Sequence, residues 1–115
     1  MKYLLTIYGD QSTWSEATPE DVDAVLKAYG EFGEEVHQSG AFIAGEGLQS
    51  VDTATTVRVP NGERLVTDGP FAETKEQLAG FYLLECKDLD EAIEWAAKIP
   101  GAQTGSVEVR PVMTY

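Results

Sequence analysis

The segment LAGFYLLEC, residues 78–86, is apolar at nearly every position. A strand with one face in water alternates apolar and polar residues, so a run without this alternation is typical of a strand buried on both faces. Residues 2–8, KYLLTIY, have the same character and end at Gly9 and Asp10, which favour a turn. The chain therefore needs a sheet whose central strands are covered on both sides.

Two amphipathic helices are predicted to cover one side of that sheet. The stretch TPED, residues 18–21, combines a capping-box-like start with proline at the first helical position, and apolar residues recur after it at three- and four-residue steps. Gly40 is placed to end this helix in a left-handed conformation. The second helix is predicted to begin after Asp88 and to stop at Pro100.

The other β-rich segments complete the order of elements. AFIAGEGL (41–48) and GSVEVRPV (105–112) are predicted strands, and TTVRVPNGERLVT (55–67) is a predicted hairpin around a Pro-Asn-Gly turn. The order is β-α-β, then a hairpin, then β-α-β. It predicts one α+β domain over residues 1–115, with a ferredoxin-like antiparallel sheet, two helices on one face and the hairpin inserted between the halves.

The second face of this sheet needs a cover that the helices cannot provide. A second copy of the sheet is the simplest cover, because a self-complementary twofold contact requires no other partner. We therefore expect a homodimer in which two sheets pack face to face as a dimeric α+β barrel. The alternative is a monomer with a few exposed aromatic residues, since single exposed apolar side chains are common.

Charge and cysteine content narrow the classes of function. The chain has 20 Asp and Glu residues against 8 Lys and Arg, for a net charge of −12. Such a surface repels phosphate backbones and anionic headgroups, so we expect no direct nucleic-acid binding and no membrane binding. Cys86 is the single cysteine, so no internal disulfide can form, and its apolar strand predicts a buried thiol. With no signal peptide or membrane span in residues 1–12, a cytoplasmic location is expected.

The sequence contains no phosphate-binding glycine loop, no paired-cysteine zinc pattern and no nucleophile elbow, so we expect no metal and no cofactor. Asp68 is the foremost candidate for chemistry, because the following Gly69 and Pro70 restrict the backbone and can fix the direction of its carboxylate. Beside Phe71, desolvation could raise the pKa of Asp68 and suit it to general acid or base catalysis. The alternative is that Asp68 caps a turn by bonding nearby backbone amides.

Five further residues are candidates for binding a substrate, and Phe71, beside Asp68, is the first of them. Glu73 and Lys75 could complete a polar pocket around Asp68, with Lys75 holding an anionic group. Glu46 and Arg58 could reach the same cavity from the end of the sheet. The alternative for the charged run after Phe71 is a solvated loop.

The motif DGPFAETKEQLAGFY resembles the DGPF branch of the YCII-related family. The segments AGEGLQ, ATTVRV, LVTDGPFAETKEQLAGFY, DLDEAIEWAAKIPGA and VEVRPV follow the order of that branch over nearly the whole chain. The resemblance implies a ferredoxin-like subunit that dimerises into an α+β barrel, and it marks Asp68 as the functional residue to carry over.

The family resemblance leaves two classes of function open. In the YCII branch a histidine near the start of the first helix is thought to form a dyad with an aspartate, but here that position reads Pro19-Glu20-Asp21, and His37 is too far along the helix to be assumed a substitute. A small enzyme or small-molecule binder is the first hypothesis. Some DGPF members are associated with sigma-factor-like transcription proteins, which implies a second: a non-catalytic regulatory or sensor module that acts through protein contact.

Overall fold

The computed structural model describes all 115 residues, which form two antiparallel sheets and three α-helices. The elements follow one another in the order predicted from the sequence, with one additional short helix. In chain order they are β1 (Lys2–Gly9), α1 (Ser12–Ser15), α2 (Pro19–Ser39), β2 (Phe42–Gly47), β3 (Thr55–Arg58), β4 (Leu65–Asp68), β5 (Gln77–Glu85), α3 (Leu89–Lys98) and β6 (Ser106–Pro111).

The four long strands form the main sheet in the order β2-β5-β1-β6, and every neighbouring pair is antiparallel. This is the strand order of a split β-α-β pair, in which each helix connects two strands that enclose a third. The ferredoxin-like α+β fold is therefore confirmed. Strands β3 and β4 form a separate two-stranded sheet, the predicted hairpin, which turns at Pro60–Gly62.

The predicted helix boundaries are confirmed by their caps. Thr18 Oγ1 accepts from the Asp21 N–H at 3.1 Å, and the Asp21 carboxylate accepts from the Thr18 N–H at 3.1 Å, which completes a capping box at the start of α2. Gly40 ends that helix at φ 81°. The carboxylate of Asp88 accepts from the Glu91 N–H at 2.9 Å and so caps α3.

Helix α1 lies between the predicted turn at Gly9 and Asp10 and the predicted helix start at Thr18, where the sequence predicted no helix. Asp10 starts this turn, because its carboxylate accepts from both the N–H of Ser12, at 3.0 Å, and the Ser12 hydroxyl, at 2.7 Å. A helix of four residues buries no side chain and has no apolar periodicity. Hydropathy alone therefore could not distinguish it from a loop.

The core lies between one face of the main sheet and the two longer helices. Tyr3, Leu5 and Ile7 alternate along β1 and point into this core, where Phe32 of α2 packs edge-on against Tyr82 and Trp95. Cys86 is buried there, as expected from its apolar strand, and burial raises the pKa of its thiol. The fully buried side chains are Leu5, Leu84, Ile99 and Val36.

The opposite face of the main sheet is open. The strand register places Leu4 opposite Leu83 and Thr6 opposite Phe81 on this face, and all four side chains are partly exposed. The chain has a radius of gyration of 16.0 Å, whereas a compact domain of this length has about 13 Å. The hairpin and the open face thus leave much more surface than a closed core would. None of the helices has the length and apolar character needed to cross a membrane.

Candidate functional site

The segment Asp68–Glu76, called the DGPF loop below, joins the hairpin to β5. Its first turn depends on Gly69, whose φ of 100° lies in the region that residues with a side chain rarely adopt. The Gly69 N–H donates to the Ala54 carbonyl at 2.7 Å, and the Thr56 hydroxyl donates to the Gly69 carbonyl at 2.8 Å. Both sides of the Gly69 backbone are therefore attached to β3 and the residue before it.

Asp68 has a fixed backbone and an unbonded side chain. It is the last residue of β4 and pairs with Thr55, but its carboxylate accepts no hydrogen bond from the chain. The turn is instead held by the two backbone bonds of Gly69. Asp68 is exposed and Phe71 is 78% exposed. The backbone of Asp68 is thus held in place, but its carboxylate is neither bonded nor removed from water.

The second half of the DGPF loop lies against the ends of β1 and β6. Glu76 accepts from the Ser106 hydroxyl at 2.7 Å, and Thr74 donates to the Glu76 carbonyl at 2.7 Å. Gln77 donates to the Thr74 carbonyl at 2.9 Å, while its side-chain oxygen is buried without a partner. This half of the loop is therefore held by side chains as well as by backbone.

Lys75 lies near a carboxylate that the sequence analysis did not select. The hydroxyl of Ser12, and then its backbone N–H, lower the pKa of Asp10, and the Lys75 ammonium acts in the same direction. The missed signal was Asp10 followed two residues later by Ser12, a spacing at which an aspartate bonds local backbone. The side chain of Gln11 also accepts from Ser50 and Val51, which ties the connection after β2 to the end of β1.

The structure does not bring all the predicted residues together within one subunit. Arg58 pairs with Leu65 near the hairpin tip, three residues along β3 from the level of Asp68, or about 10 Å away, and on the other face. Glu46 lies in the main sheet opposite Phe81. No hydrogen bond or ion pair joins any two of the predicted residues, which are Asp68, Phe71, Glu73, Lys75, Glu46 and Arg58.

Two surface cavities lie away from these residues. One, of 370 Å³, is enclosed by Met1, Lys2, Glu85 and the C-terminal residues 112–115. The other is a groove of 280 Å³ between α3 and β6. No three His, Cys, Asp or Glu side chains are grouped so that they could hold a metal ion.

His37 takes a structural role rather than joining the DGPF loop. Its ring stacks on Phe42 with 4.0 Å between the ring centroids, and Nδ1 lies 3.1 Å from the Gly33 carbonyl. The residue is exposed on α2. The structure thus provides no histidine partner for Asp68 from this position.

Comparison with known proteins places these features in a family. The model of the YCII-related domain matches residues 1–115. The chain is also similar to Uncharacterized protein R00369 of Rhizobium meliloti (strain 1021), with 39% identity over 117 residues that cover 100% of this chain and 94% of that protein.

Proposed function

Because this chain belongs to the YCII-related family, we propose that it is a DGPF-branch protein that binds a small molecule as a homodimer, with Asp68 as the acid or base of the site. The observation that supports this most directly is the Asp68 carboxylate, which has a fixed backbone but no hydrogen bond of its own. An unbonded carboxylate on a fixed backbone is available to bind a ligand or exchange a proton with it.

The homodimer follows from the open face of the main sheet. Leu4, Phe81 and Leu83 lie on this face with no helix over them, and removing such apolar surface from water is favourable. A twofold contact covers both copies at once. The packed sheets would form the α+β barrel, and light scattering should give twice the subunit mass of 12.5 kDa.

The dimer would also supply the environment that the site lacks. A second subunit over the DGPF loop would remove water from Asp68 and Phe71, and desolvation favours the protonated form of a carboxyl group. Lys75 and Glu73 would then select the charge and polarity of the ligand. Glu46 and Arg58, which are distant from each other on one subunit, would contribute from the sheet edge and from the hairpin.

The test combines ligand screening with one isosteric substitution. A panel of small metabolites is screened for compounds that raise the melting temperature of the wild-type protein, and each compound found is titrated calorimetrically. Asp68→Asn should weaken its binding at least about tenfold, since a hydrogen bond to a charged group contributes about 1.5–3 kcal/mol. Asp52→Asn, the same change at another exposed aspartate, is the matched control and should bind as the wild type does. Equal binding by all three proteins would contradict the role of Asp68.

A non-catalytic regulatory or sensor module is the second candidate. The observation that favours it is the hairpin, whose exposed Val57, Val59 and Val66 could bind a sigma-factor-type protein. With a net charge of −12, such a module would act through protein contact rather than through DNA. In that case Asp68→Asn alters no ligand affinity.

A further inference from the structure

We infer that the hairpin of each subunit docks in the groove between α3 and β6 of a second copy. The inference rests on the homodimer proposed above and names the surfaces, outside the open sheet face, through which two copies meet. It joins two apolar surfaces of the same chain that both lack a cover, and these surfaces carry opposite charge at their edges.

The hairpin has an apolar face without a core. Val57 pairs directly with Val66, and Val59 continues the same side beyond the end of β3. Val57 is 56% exposed, Val66 is 58% exposed and Val59 is 59% exposed. An isolated two-stranded hairpin is marginally stable in water and needs further packing. The valines therefore need a surface to pack against.

The groove offers an apolar surface of matching size. It has a volume of 280 Å³, and all its lining residues are apolar. Alanines form much of its floor, so it has room for β-branched side chains. Ile93 is half exposed at its rim, and Leu89 extends the apolar stripe by one turn of α3. The lining residues are Ile93, Ala96, Ala97, Ala102, Val107 and Val109.

The hairpin and the groove lie at opposite edges of the main sheet in one copy, but a twofold dimer brings the hairpin of one copy near the groove edge of the other. The hairpin follows β2 at one edge of the main sheet, and the groove borders β6 at the other edge, about 14 Å away across three strand spacings. When two such sheets face each other around a twofold axis parallel to the strands, β2 of one copy lies over β6 of the other. The groove opens on the helix side of β6, because Val107 and Val109 pair with Ile7 and Leu5 of the core. The hairpin of the second copy would therefore pass around the free edge of β6 to enter it, and the contact would occur twice.

Charge at the two surfaces is complementary. The hairpin tip, residues 58–64, carries Arg58 and Arg64 against one glutamate, although the whole chain has a net charge of −12. Arg58 pairs with Leu65 and so lies on the hairpin face opposite the valines, where it could border the docked face only from the side. Helix α3 carries three acidic residues, including Asp90 and Glu94, against the single Lys98. Neither arginine and neither of these two acids forms an ion pair within the subunit. Opposite charges at the rim would orient the hairpin in the groove.

Docking in this way has a consequence for the DGPF loop. Asp68 is at the base of the hairpin, where β4 ends, so a docked hairpin holds the loop close to the second copy. That copy would then cover Phe71 and Asp68, which a single subunit leaves exposed. The site is therefore incomplete without the exchange of hairpins.

A charge-exchange experiment tests the contact. The hairpin variant carries Arg58→Glu and Arg64→Glu, and the helix variant carries Asp90→Lys and Glu94→Lys. In either homodimer both contacts join like charges, so we expect dimer dissociation constants about tenfold or more above wild type by analytical ultracentrifugation. In the mixed dimer one contact is wild type and the other has both charges reversed. Native mass spectrometry of the mixture should therefore show more mixed dimer than random pairing gives.

The matched control variant carries Asp23→Lys and Glu31→Lys, two exposed acids of α2. It has the same net charge as the helix variant, so net charge alone favours the mixed dimer equally in both mixtures. Its mixture with the hairpin variant should therefore contain less mixed dimer than the mixture of the two docking variants. Circular dichroism melting confirms that each variant is folded. If the wild type dimerises but both docking variants dimerise equally well, or if their mixture contains no more mixed dimer than the control mixture, hairpin docking is wrong and the sheet-to-sheet dimer stands. A monomeric wild type overturns both the dimer and the docking.

Discussion

The main sheet and the hairpin are made of similar residues but differ in what covers them. Leu5 and Leu84 in the main sheet have no exposed surface, whereas Val57 and Val66 in the hairpin are more than half exposed. Both pairs occur in short β-rich segments with ordinary turn signals. The difference comes from the helices, which pack on one face of the main sheet and leave the hairpin to itself.

This comparison separates folding from assembly. The helix-covered face holds a closed core of buried side chains and has what a subunit needs to fold. The open face and the hairpin carry apolar residues that remain in contact with water and so add little to the stability of the folded chain. The DGPF loop lies where these two regions meet, because β4 enters it from the hairpin and β5 leaves it for the main sheet.

The largest expected effect comes from truncating one leucine in each region. Leu84 has no exposed surface, so Leu84→Ala leaves a cavity and should lower the free energy of unfolding by about 2–5 kcal/mol. Leu65 in the hairpin is 46% exposed, and Leu65→Ala should cost about 1 kcal/mol or less. Urea unfolding at a protein concentration where the subunit is monomeric measures both. Equal losses would mean that the hairpin belongs to the subunit core.

The fold of the main sheet was predictable because several local signals agree there. The cap residues from Thr18 to Asp21, the left-handed Gly40 and the two-faced strands each specify an element and its end. These signals also indicate the ferredoxin-like strand order, because each predicted helix connects two strands that can lie on either side of a third.

The candidate site was less predictable, because it depends on contacts between segments distant in sequence. The turn at Asp68 suggested a fixed carboxylate, but the bonds that hold Gly69 come from Ala54 and Thr56, and no short-range pattern specifies them. The proximity of Lys75 to Asp10 likewise arises from strand pairing. Arg58 was grouped with Asp68 by charge, and the hairpin register places the two apart.

An intermediate effect is expected from adding a methyl group at Gly69, in the first turn of the DGPF loop. Gly69 has φ 100°, and no atom lies within 4 Å of the position that a Cβ would take, so Gly69→Ala strains the backbone without a clash. The strain costs about 1–2 kcal/mol and should destabilise the hairpin. The backbone amides of the hairpin should then exchange hydrogen about 5–30 times faster than in the wild type, while the exchange of the β1 amides should not change.

Gly47→Ala is the matched control for this substitution. Gly47 also has open space around it, but its φ is not positive. Its replacement should leave the exchange of the hairpin amides as it is in the wild type. Faster exchange throughout the chain in Gly69→Ala would show that the turn is part of the main core, and would remove the distinction between the two regions.

The smallest expected effect is a pH dependence of the free energy of unfolding, and it comes from Cys86 in the core under the helices. Burial, and then the nearby Glu91 carboxylate, raise the pKa of the Cys86 thiol above its ordinary value of 9.0. The folded protein therefore keeps this proton to a higher pH than the unfolded chain does. The stability contributed by the thiol is complete below pH 9 and falls as the pH rises toward the raised pKa. Burial also raises the pKa values of Tyr29 and Tyr82 from 10.0. Both tyrosines are present in the wild type and in a Cys86 variant, so their contributions cancel in the difference in stability between the two proteins.

The measurement is urea unfolding of the wild type and of Cys86→Ala at a series of pH values from about 7 to 10. Cys86→Ala should be less stable than the wild type by a constant amount up to pH 9. Above that pH the wild type should lose stability faster, so that the difference between the proteins narrows. The hairpin has no group that should titrate in this way. It contains no cysteine or tyrosine, and its side chains are in contact with water. A difference that stays constant through pH 10 would show that the folded core releases the Cys86 proton as readily as the unfolded chain, and that water reaches the face of the sheet that the helices cover.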